Sequence, residues 1–183
     1  MKTAMLTALA LFAALAQAAQ PDHPIADLSA YQPLQILPDK TSPTHWEFDL
    51  DPALQQARRE GRNIYLVLSA WDCHFCARYE HFLARNAKAL APPFRRHKLL
   101  FVYLPSALEA QGQHVYLKAG GQSRVYADFQ RALGDERTKR MVYPVIWLLD
   151  PALKNLSQLP YGTGTFETVE DQLEVIGPAL VKP

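Results

Sequence analysis

The 183-residue chain has few of the side chains that build metal centres or disulfide frameworks, since it contains only two cysteines and three methionines. It also has no excess of charge of either sign, because 19 basic and 18 acidic residues give a formal net charge of +1. This balance argues against a nucleic-acid binder, which normally carries a basic surplus. Hydrophobic residues make up 49% of the chain. That fraction and this length are ordinary for one globular domain with a sizeable core.

Long apolar runs are also absent, except at the start of the chain. Residues 4–15 are free of charge, follow the weakly basic Met1-Lys2-Thr3 and precede Ala16-Gln17-Ala18, a small-x-small cleavage pattern. The run is shorter than the ~20 residues of a membrane-spanning helix. We therefore predict a signal peptide over residues 1–18 and a periplasmic or secreted protein whose mature chain has no transmembrane segment. No cysteine lies near the cleavage site, which excludes a lipid anchor there.

The two cysteines lie three positions apart, in Trp71-Asp72-Cys73-His74-Phe75-Cys76. The apolar run over residues 64–68 predicts a buried strand before them, and residues 77–85 predict a helix after them. At the start of a helix the two sulfurs can approach to bonding distance. The first thiol then lies near unsatisfied N–H groups and the positive end of the helix dipole. This environment stabilises a thiolate and lowers the pKa of Cys73 below the free value of about 8.5.

Other uses of two closely spaced cysteines are less consistent with the sequence. A structural disulfide gains most from closing a long loop, and only two residues separate this pair. A structural zinc site needs four ligands, and no second Cys or His pair accompanies His74 and His81. Thiolates suit Cu(I), but Met141 is the only methionine after the predicted signal peptide. The spacing favours a redox pair, with a metal-binding dithiol and an inert bridge as alternatives.

The rest of the sequence predicts alternating strands and helices after a proline-rich extension over residues 19–43, which either drapes over the domain or forms a flexible linker. We expect one domain over residues 44–183, with a polar surface insert over residues 106–124 that contains a short strand at residues 114–117. The predicted strands cover residues 45–50, 63–70, 99–104, 142–149 and 155–161, and the predicted helices cover residues 51–60, 77–85, 125–133 and 165–181. Residues 86–93 are predicted to end the helix that follows Cys76.

Two motifs in this order resemble those of the thioredoxin superfamily over roughly residues 46–181. One is the strand that runs into the Cys-x-x-Cys motif, and the other is Val142-Tyr143-Pro144 before an apolar strand. With the signal peptide, the chain resembles exported members of the SoxW type and the C-terminal domain of DsbD. The resemblance implies a three-layer α/β/α fold with a mixed central sheet and an insert before a cis-proline strand. It implies no cofactor other than the Cys73–Cys76 disulfide.

The resemblance also implies a role for each residue that matches the motifs. Cys73 would be the exposed attacking nucleophile, and Cys76 the more buried resolving thiol. Trp71 would pack beside the pair. Tyr143 and Pro144 would flank the site, where a cis peptide bond leaves the Tyr143 backbone free to pair with an extended substrate.

The chain departs from the family at positions that influence the thiols. Asp72 replaces the tryptophan that directly precedes the first cysteine, and Val67 replaces a buried aspartate proposed as the proton acceptor for the resolving thiol. Glu80, one turn after the second cysteine, is a candidate substitute for that aspartate. A protonated His74 would lower the pKa of Cys73 and an ionised Asp72 would raise it.

The activity that the resemblance implies is thiol–disulfide exchange with protein substrates. We expect the reducing direction, because the exported proteins that the chain resembles are reducing. A reductase in an oxidising compartment needs recharging, so a membrane electron donor of the DsbD kind is an expected partner. The alternatives are a periplasmic dithiol oxidase and a non-enzymatic Cu(I)-binding or peptide-binding module.

Overall fold

The computed structural model describes residues 26–137, 140–157, 159 and 168–180. Its strands are β1 (Leu34–Gln35), β2 (Asp39–Ser42), β3 (His45–Asp49), β4 (Asn63–Ala70), β5 (Leu99–Ser106), β6 (Val115–Ala119), β7 (Gln122–Val125), β8 (Val145–Leu149) and β9 (Asn155–Ser157). Its helices are α1 (Asp51–Glu60), α2 (His74–Arg85), α3 (Ala87–Arg96), α4 (Tyr126–Ala132) and α5 (Val169–Leu180), and a 3₁₀ turn covers Ser29–Tyr31. The predicted signal peptide lies outside the described residues.

A five-stranded sheet in the order β1-β5-β4-β8-β9 forms the centre of the fold. Strands β1 and β4 run parallel to β5, whereas β8 runs antiparallel to both β4 and β9. Strand β4 is therefore the central strand, as the sequence predicts, and its eight-residue register with β5 is continuous from Asn63–Leu99 to Ala70–Ser106. The sheet is mixed and open, so the predicted fold class is confirmed.

Strand β4 separates two apolar clusters because alternate side chains point to opposite faces of a strand. Ile64, Leu66 and Leu68 belong to the cluster that includes buried residues of α1, α4 and strands β3 and β6. Tyr65 and Val67 belong to the opposite cluster, which includes buried residues of α2, α3 and α5. The central sheet thus lies between two packed layers.

A second sheet, in the order β2-β3-β6-β7, was not predicted. The short strand predicted at residues 114–117 corresponds to β6, but the prediction that residues 106–124 form a polar surface insert is wrong, because β6 and the start of β7 belong to this sheet. Residues Val115, Leu117 and Ala119 of β6 are buried and alternate with partly exposed ones. Strand β3 has the same alternation and pairs parallel to β6, so it is not part of the central sheet. The second sheet buries one face against the core and leaves the other accessible.

The chain around Pro92 and Pro93 continues as helix α3, so the prediction that residues 86–93 only end the preceding helix is wrong. The two prolines remove hydrogen bonds to the carbonyls of Lys88 and Ala89. Both of those residues are exposed, so water can solvate the freed carbonyls. The apolar face of α3, formed by its buried Leu90, Ala91 and Phe94, outweighs the cost of the prolines.

Part of the proline-rich segment packs on the domain. Strand β1 pairs with β5 and forms one edge of the central sheet, and β2 pairs with β3. The ring of Tyr31 is buried, and its hydroxyl donates a hydrogen bond to the Leu83 carbonyl at 2.8 Å. The predicted domain boundary at residues 43–44 stays a prediction.

Within the described part of the chain, no helix has the length and apolarity needed to cross a membrane.

A buried ring of hydrogen bonds joins β4, α2 and α5. The hydroxyls of Tyr65 and Tyr79 lie 2.6 Å apart, Tyr79 donates to Gln172 Oε1 at 2.9 Å, and Gln172 Nε2 donates to the Tyr65 hydroxyl at 3.2 Å. All three side chains are buried. These hydrogen bonds join helices α2 and α5 to the central strand β4.

We predict that Tyr65→Phe lowers the free energy of unfolding by about 1–3 kcal/mol, because it leaves buried hydrogen-bonding groups of Tyr79 and Gln172 without this partner. Denaturant unfolding measures the change. The matched control is Tyr116→Phe, at a partly exposed ring on β6, for which we expect a change within about 0.5 kcal/mol. Equal effects of the two substitutions would contradict a stabilising role for the ring of hydrogen bonds.

Candidate active site

The junction of β4 and α2 places both cysteines on the first turn of the helix. Cys73 is the N-cap residue of α2, in an extended backbone conformation (φ −105°, ψ 110°). Its sulfur accepts a hydrogen bond from the Cys76 N–H at 3.2 Å, and its carbonyl accepts one from the Ala77 N–H at 3.1 Å. A sulfur that serves as a helix cap lies where the backbone N–H groups and the helix dipole favour negative charge. Both cysteines are free thiols.

The pKa of Cys73 is lowered to about 7. The largest cause is the hydrogen bond from the Cys76 thiol, and the backbone N–H groups of Cys76 and Phe75 act in the same direction. Burial and the carboxylate of Asp72 oppose the shift without cancelling it. A substantial fraction of Cys73 is therefore thiolate at neutral pH, as the sequence predicts from its position at a helix start.

The second thiol has the opposite environment. Cys76 has no exposed surface, and burial together with the neighbouring Cys73 raises its pKa. The Ala70 N–H donates to its sulfur at 3.4 Å. The pair is therefore asymmetric: at neutral pH one sulfur is prepared to attack, and the other retains its proton.

The prediction that Cys73 is exposed is wrong, because only 3% of the residue is accessible. Its side chain turns back over the first turn of α2 to accept the Cys76 N–H. It joins the apolar cluster that contains Tyr143, with the half-buried Trp71 packed against that cluster. The capping hydrogen bond and this packing together account for the small accessible area.

Trp71 lies beside the pair, supported by the second sheet. Its ring centroid is 5.7 Å from that of the buried Trp46 on β3. The ammonium group of Lys40 on β2 lies 3.4 Å from the Trp46 ring centroid and 5.0 Å from that of Trp71. The four-stranded sheet therefore supplies one wall of the site, which the sequence did not reveal.

The residues predicted to tune the first thiol lie on its solvent side. Asp72 accepts the Leu108 N–H at 2.7 Å, which ties it to the loop after β5, and its charge raises the pKa of Cys73 as expected. His74 is exposed and its ring lies 5.8 Å from that of Phe75. Phe75 is 50% exposed and Leu108 is 40% exposed, so apolar side chains accompany the pair at the surface.

The segment before β8 approaches the pair from the other side. The Tyr143–Pro144 peptide bond is cis, and both residues are buried. The Tyr143 hydroxyl donates to the Ala110 carbonyl at 2.9 Å and hydrogen-bonds Ser106 Oγ at 3.0 Å. Within the described part of the chain, the backbone N–H and C=O of Tyr143 make no hydrogen bond. The Tyr143 side chain thus joins this segment to the end of β5 and the loop after it, whereas the Tyr143 backbone N–H and C=O have no hydrogen-bond partner among the described residues.

Glu80 is buried in the same helix, with 4% of its surface accessible. Its Oε1 atom accepts hydrogen bonds from Ser69 Oγ at 2.5 Å and from the Tyr103 hydroxyl at 2.7 Å. The Ser69 side chain also acts to lower the pKa of Cys76, against the larger opposing effect of burial. Sequence reasoning missed both Ser69 and Tyr103. The available signal for Ser69 was a small polar side chain near the end of the largely apolar strand β4.

Among the described residues, no group of three or more His, Cys, Asp or Glu side chains could hold a metal ion. Comparison with protein-family models, curated proteins and solved structures yields no significant match.

We predict that Cys76→Ala raises the pKa of Cys73, because it removes the hydrogen bond that contributes most to lowering it. The rate of alkylation of Cys73 as a function of pH measures this pKa. The midpoint should lie near pH 7 for the thiol of the wild-type protein and at higher pH for the variant. The exposed Asp128→Asn serves as a distant control. An unchanged midpoint in Cys76→Ala would show that the neighbouring thiol does not stabilise the thiolate.

Proposed function

We propose that the protein is a thioredoxin-like thiol–disulfide oxidoreductase that exchanges disulfides with protein substrates through Cys73 and Cys76. The observation that carries the proposal is the asymmetry of the two thiols on one helical turn, with the pKa of Cys73 lowered and that of Cys76 raised. Such a pair has a nucleophile and a resolving group within reach of each other. The order β1-β5-β4-β8-β9, with the pair at the end of its central strand, agrees with the resemblance.

The exchange proceeds in two displacements. The Cys73 thiolate attacks one sulfur of a substrate disulfide, the substrate S–S bond breaks, and the departing substrate thiolate takes up a proton. Deprotonated Cys76 then attacks Cys73, which forms the Cys73–Cys76 bond and releases the second substrate thiolate, which is also protonated. The substrate gains two electrons and the protein dithiol loses two. The reverse sequence oxidises a substrate dithiol.

The surroundings of the pair fit a polypeptide substrate. The unpaired backbone groups of Tyr143 can bond to an extended segment in the manner of an added strand. The exposed side chains of Phe75 and Leu108 offer apolar contacts beside the reacting sulfurs. Trp71 forms the wall on the side of the second sheet. A substrate cysteine flanked by apolar residues matches these features.

The moderate acidity of Cys73 favours the reducing direction. A strongly stabilised thiolate makes the reduced form more stable and the disulfide more oxidising, as in DsbA, whose cysteine has a pKa of about 3.5. The pKa of Cys73 is about 7, which is the value typical of thioredoxin. We propose a reductase that works after export and receives its electrons from a membrane donor of the DsbD kind.

A trapping experiment tests the function. Expressed with its own N-terminal segment, Cys76→Ala should accumulate mixed disulfides between Cys73 and exported proteins, because the second displacement is blocked. Cys73→Ala is the matched control and should trap none. Non-reducing electrophoresis followed by identification of the captured proteins provides the readout. Indistinguishable behaviour of the two variants would reject the exchange mechanism.

A further inference from the structure

A cleft separate from the thiol pair lies where the segment over residues 26–35 meets α2 and β5. Its volume is about 550 Å³, within the range of about 300–1,000 Å³ that is usual for small-molecule sites. Neither cysteine lines it. The lining combines apolar side chains, such as Leu28 and Pro33, with polar ones, such as Gln32 and Gln35. A cleft of this composition can bury the apolar part of a small ligand and orient its polar part.

One carboxylate lies at the bottom of this cleft. Glu80 is 4% exposed, whereas Gln32 and Gln35 are exposed at the rim. Glu80 Oε1 accepts the hydrogen bonds from Ser69 and Tyr103. Glu80 Oε2 accepts none from the described residues, and it is not one of their fully buried atoms that lack a partner. This second oxygen therefore retains accessible surface and faces the cleft.

The charge of this carboxylate has no cation beside it. Glu80 forms no ion pair with any residue that the structure describes, and no Lys, Arg or His is among the residues that line the cleft. Its two donors are neutral hydroxyls. An ionised carboxylate withdrawn from water is costly unless a cation or a full set of hydrogen bonds compensates it. A ligand cation at Oε2 supplies this compensation, so the cleft favours positively charged ligands.

The wall of the cleft is held by contacts within the protein. The Ile36 N–H donates to the Tyr103 carbonyl at 3.0 Å, which continues the pairing of β1 along β5. The buried Tyr31 ring packs edge-on against Phe94, with 5.2 Å between the centroids. The next residue, Gln32, has a left-handed backbone (φ 51°), which a non-glycine residue keeps only where its surroundings impose it. Binding therefore does not incur the entropic cost of ordering this wall.

The free oxygen also decides which cation fits. A guanidinium group recognises a carboxylate best through two parallel hydrogen bonds, one to each oxygen. Glu80 Oε1 already accepts two hydrogen bonds, so this fork is blocked. A primary ammonium group is a compact point charge with three N–H donors, and it needs only one oxygen. Its other donors can be solvated at the open rim.

We propose that this cleft binds a small primary amine with an apolar body. The ammonium group binds Glu80 Oε2, and the apolar body packs against Leu28 and Pro33. Binding of the amine involves neither cysteine, so this site is independent of the proposed thiol chemistry.

Benzylamine is a suitable probe, because it is protonated at neutral pH and joins an ammonium group to a compact apolar ring. Benzyl alcohol has nearly the same shape and no charge. NMR titration of isotope-labelled protein that starts at residue 19, after the predicted cleavage site, gives both dissociation constants and locates the site. We expect saturable shifts of the backbone amide signals within residues 28–35 and of Glu80 and Tyr103. The affinity for benzylamine should be about tenfold higher than that for benzyl alcohol, as a hydrogen bond to a charged group provides.

Glu80→Gln removes the charge and keeps the size of the side chain. We expect this variant to bind benzylamine about tenfold more weakly than the wild-type protein does and to bind benzyl alcohol equally well. Glu174→Gln, at an exposed carboxylate on α5, is the matched control for the loss of one negative charge and should leave both affinities unchanged. The comparison of amine with alcohol needs only the wild-type protein, so the test stands even if Glu80→Gln does not fold.

Three results would overturn the proposal. The first is an absence of saturable shifts with benzylamine, or shifts confined to another surface. The second is equal affinity of the wild-type protein for the amine and the alcohol. The third is a folded Glu80→Gln that binds benzylamine as tightly as the wild-type protein does. Each of these results leaves disulfide exchange untouched, because the trapping experiment tests that function separately.

Discussion

The hydrogen bond between the Cys73 sulfur and the first turn of α2 is the interaction on which the site depends. The sulfur takes the place of a capping oxygen, so the helix start is satisfied by the same atom that is to react. The Cys76 thiol, one turn further on, supplies the largest stabilisation of negative charge on that atom. Each cysteine therefore sets the protonation state of the other, and the pair acts as one chemical unit.

The remainder of the fold holds this turn in place from three directions. The central strand β4 leads into this turn and is anchored on both faces. Tyr65 packs in the apolar cluster on one side of the sheet, and Leu66 packs in the cluster on the other side. The loop after β5 binds Asp72 through the Leu108 N–H and the Tyr143 hydroxyl through the Ala110 carbonyl, and Ser106 at the end of β5 also hydrogen-bonds that hydroxyl. The second sheet supports Trp71 through Trp46. A site built on rigid elements can keep two sulfurs at reacting distance while their protonation states differ.

The sequence predicts those features that depend on local pattern. The apolar run of β4, the cysteine spacing and the amphipathic start of α2 together locate the site and the direction of the shift in the pKa of Cys73. Helix α3 escaped prediction because Pro92 and Pro93 are strong local signals against a helix, whereas the burial of Phe94 that favours it depends on the packed core.

Other features depend on contacts between residues far apart in sequence. The pairing of β6 with β3 joins segments separated by about 70 positions, which no local period reveals. The burial of Cys73 depends on its packing with Tyr143, and the contact between Ser69 and Glu80 depends on how α2 packs on β4. Glu80 could be selected as a candidate from its helical spacing, but its partner Ser69 could be recognised only in three dimensions.

The reduction potential of the Cys73–Cys76 pair can be measured by equilibrating the protein in glutathione or dithiothreitol buffers and quantifying free thiols by labelling. We expect a reversible disulfide with a potential near that of thioredoxin, about −270 mV. A potential near that of DsbA, about −120 mV, would reverse the proposed direction of electron flow. Failure of the two thiols to form any reversible disulfide would contradict the account as a whole.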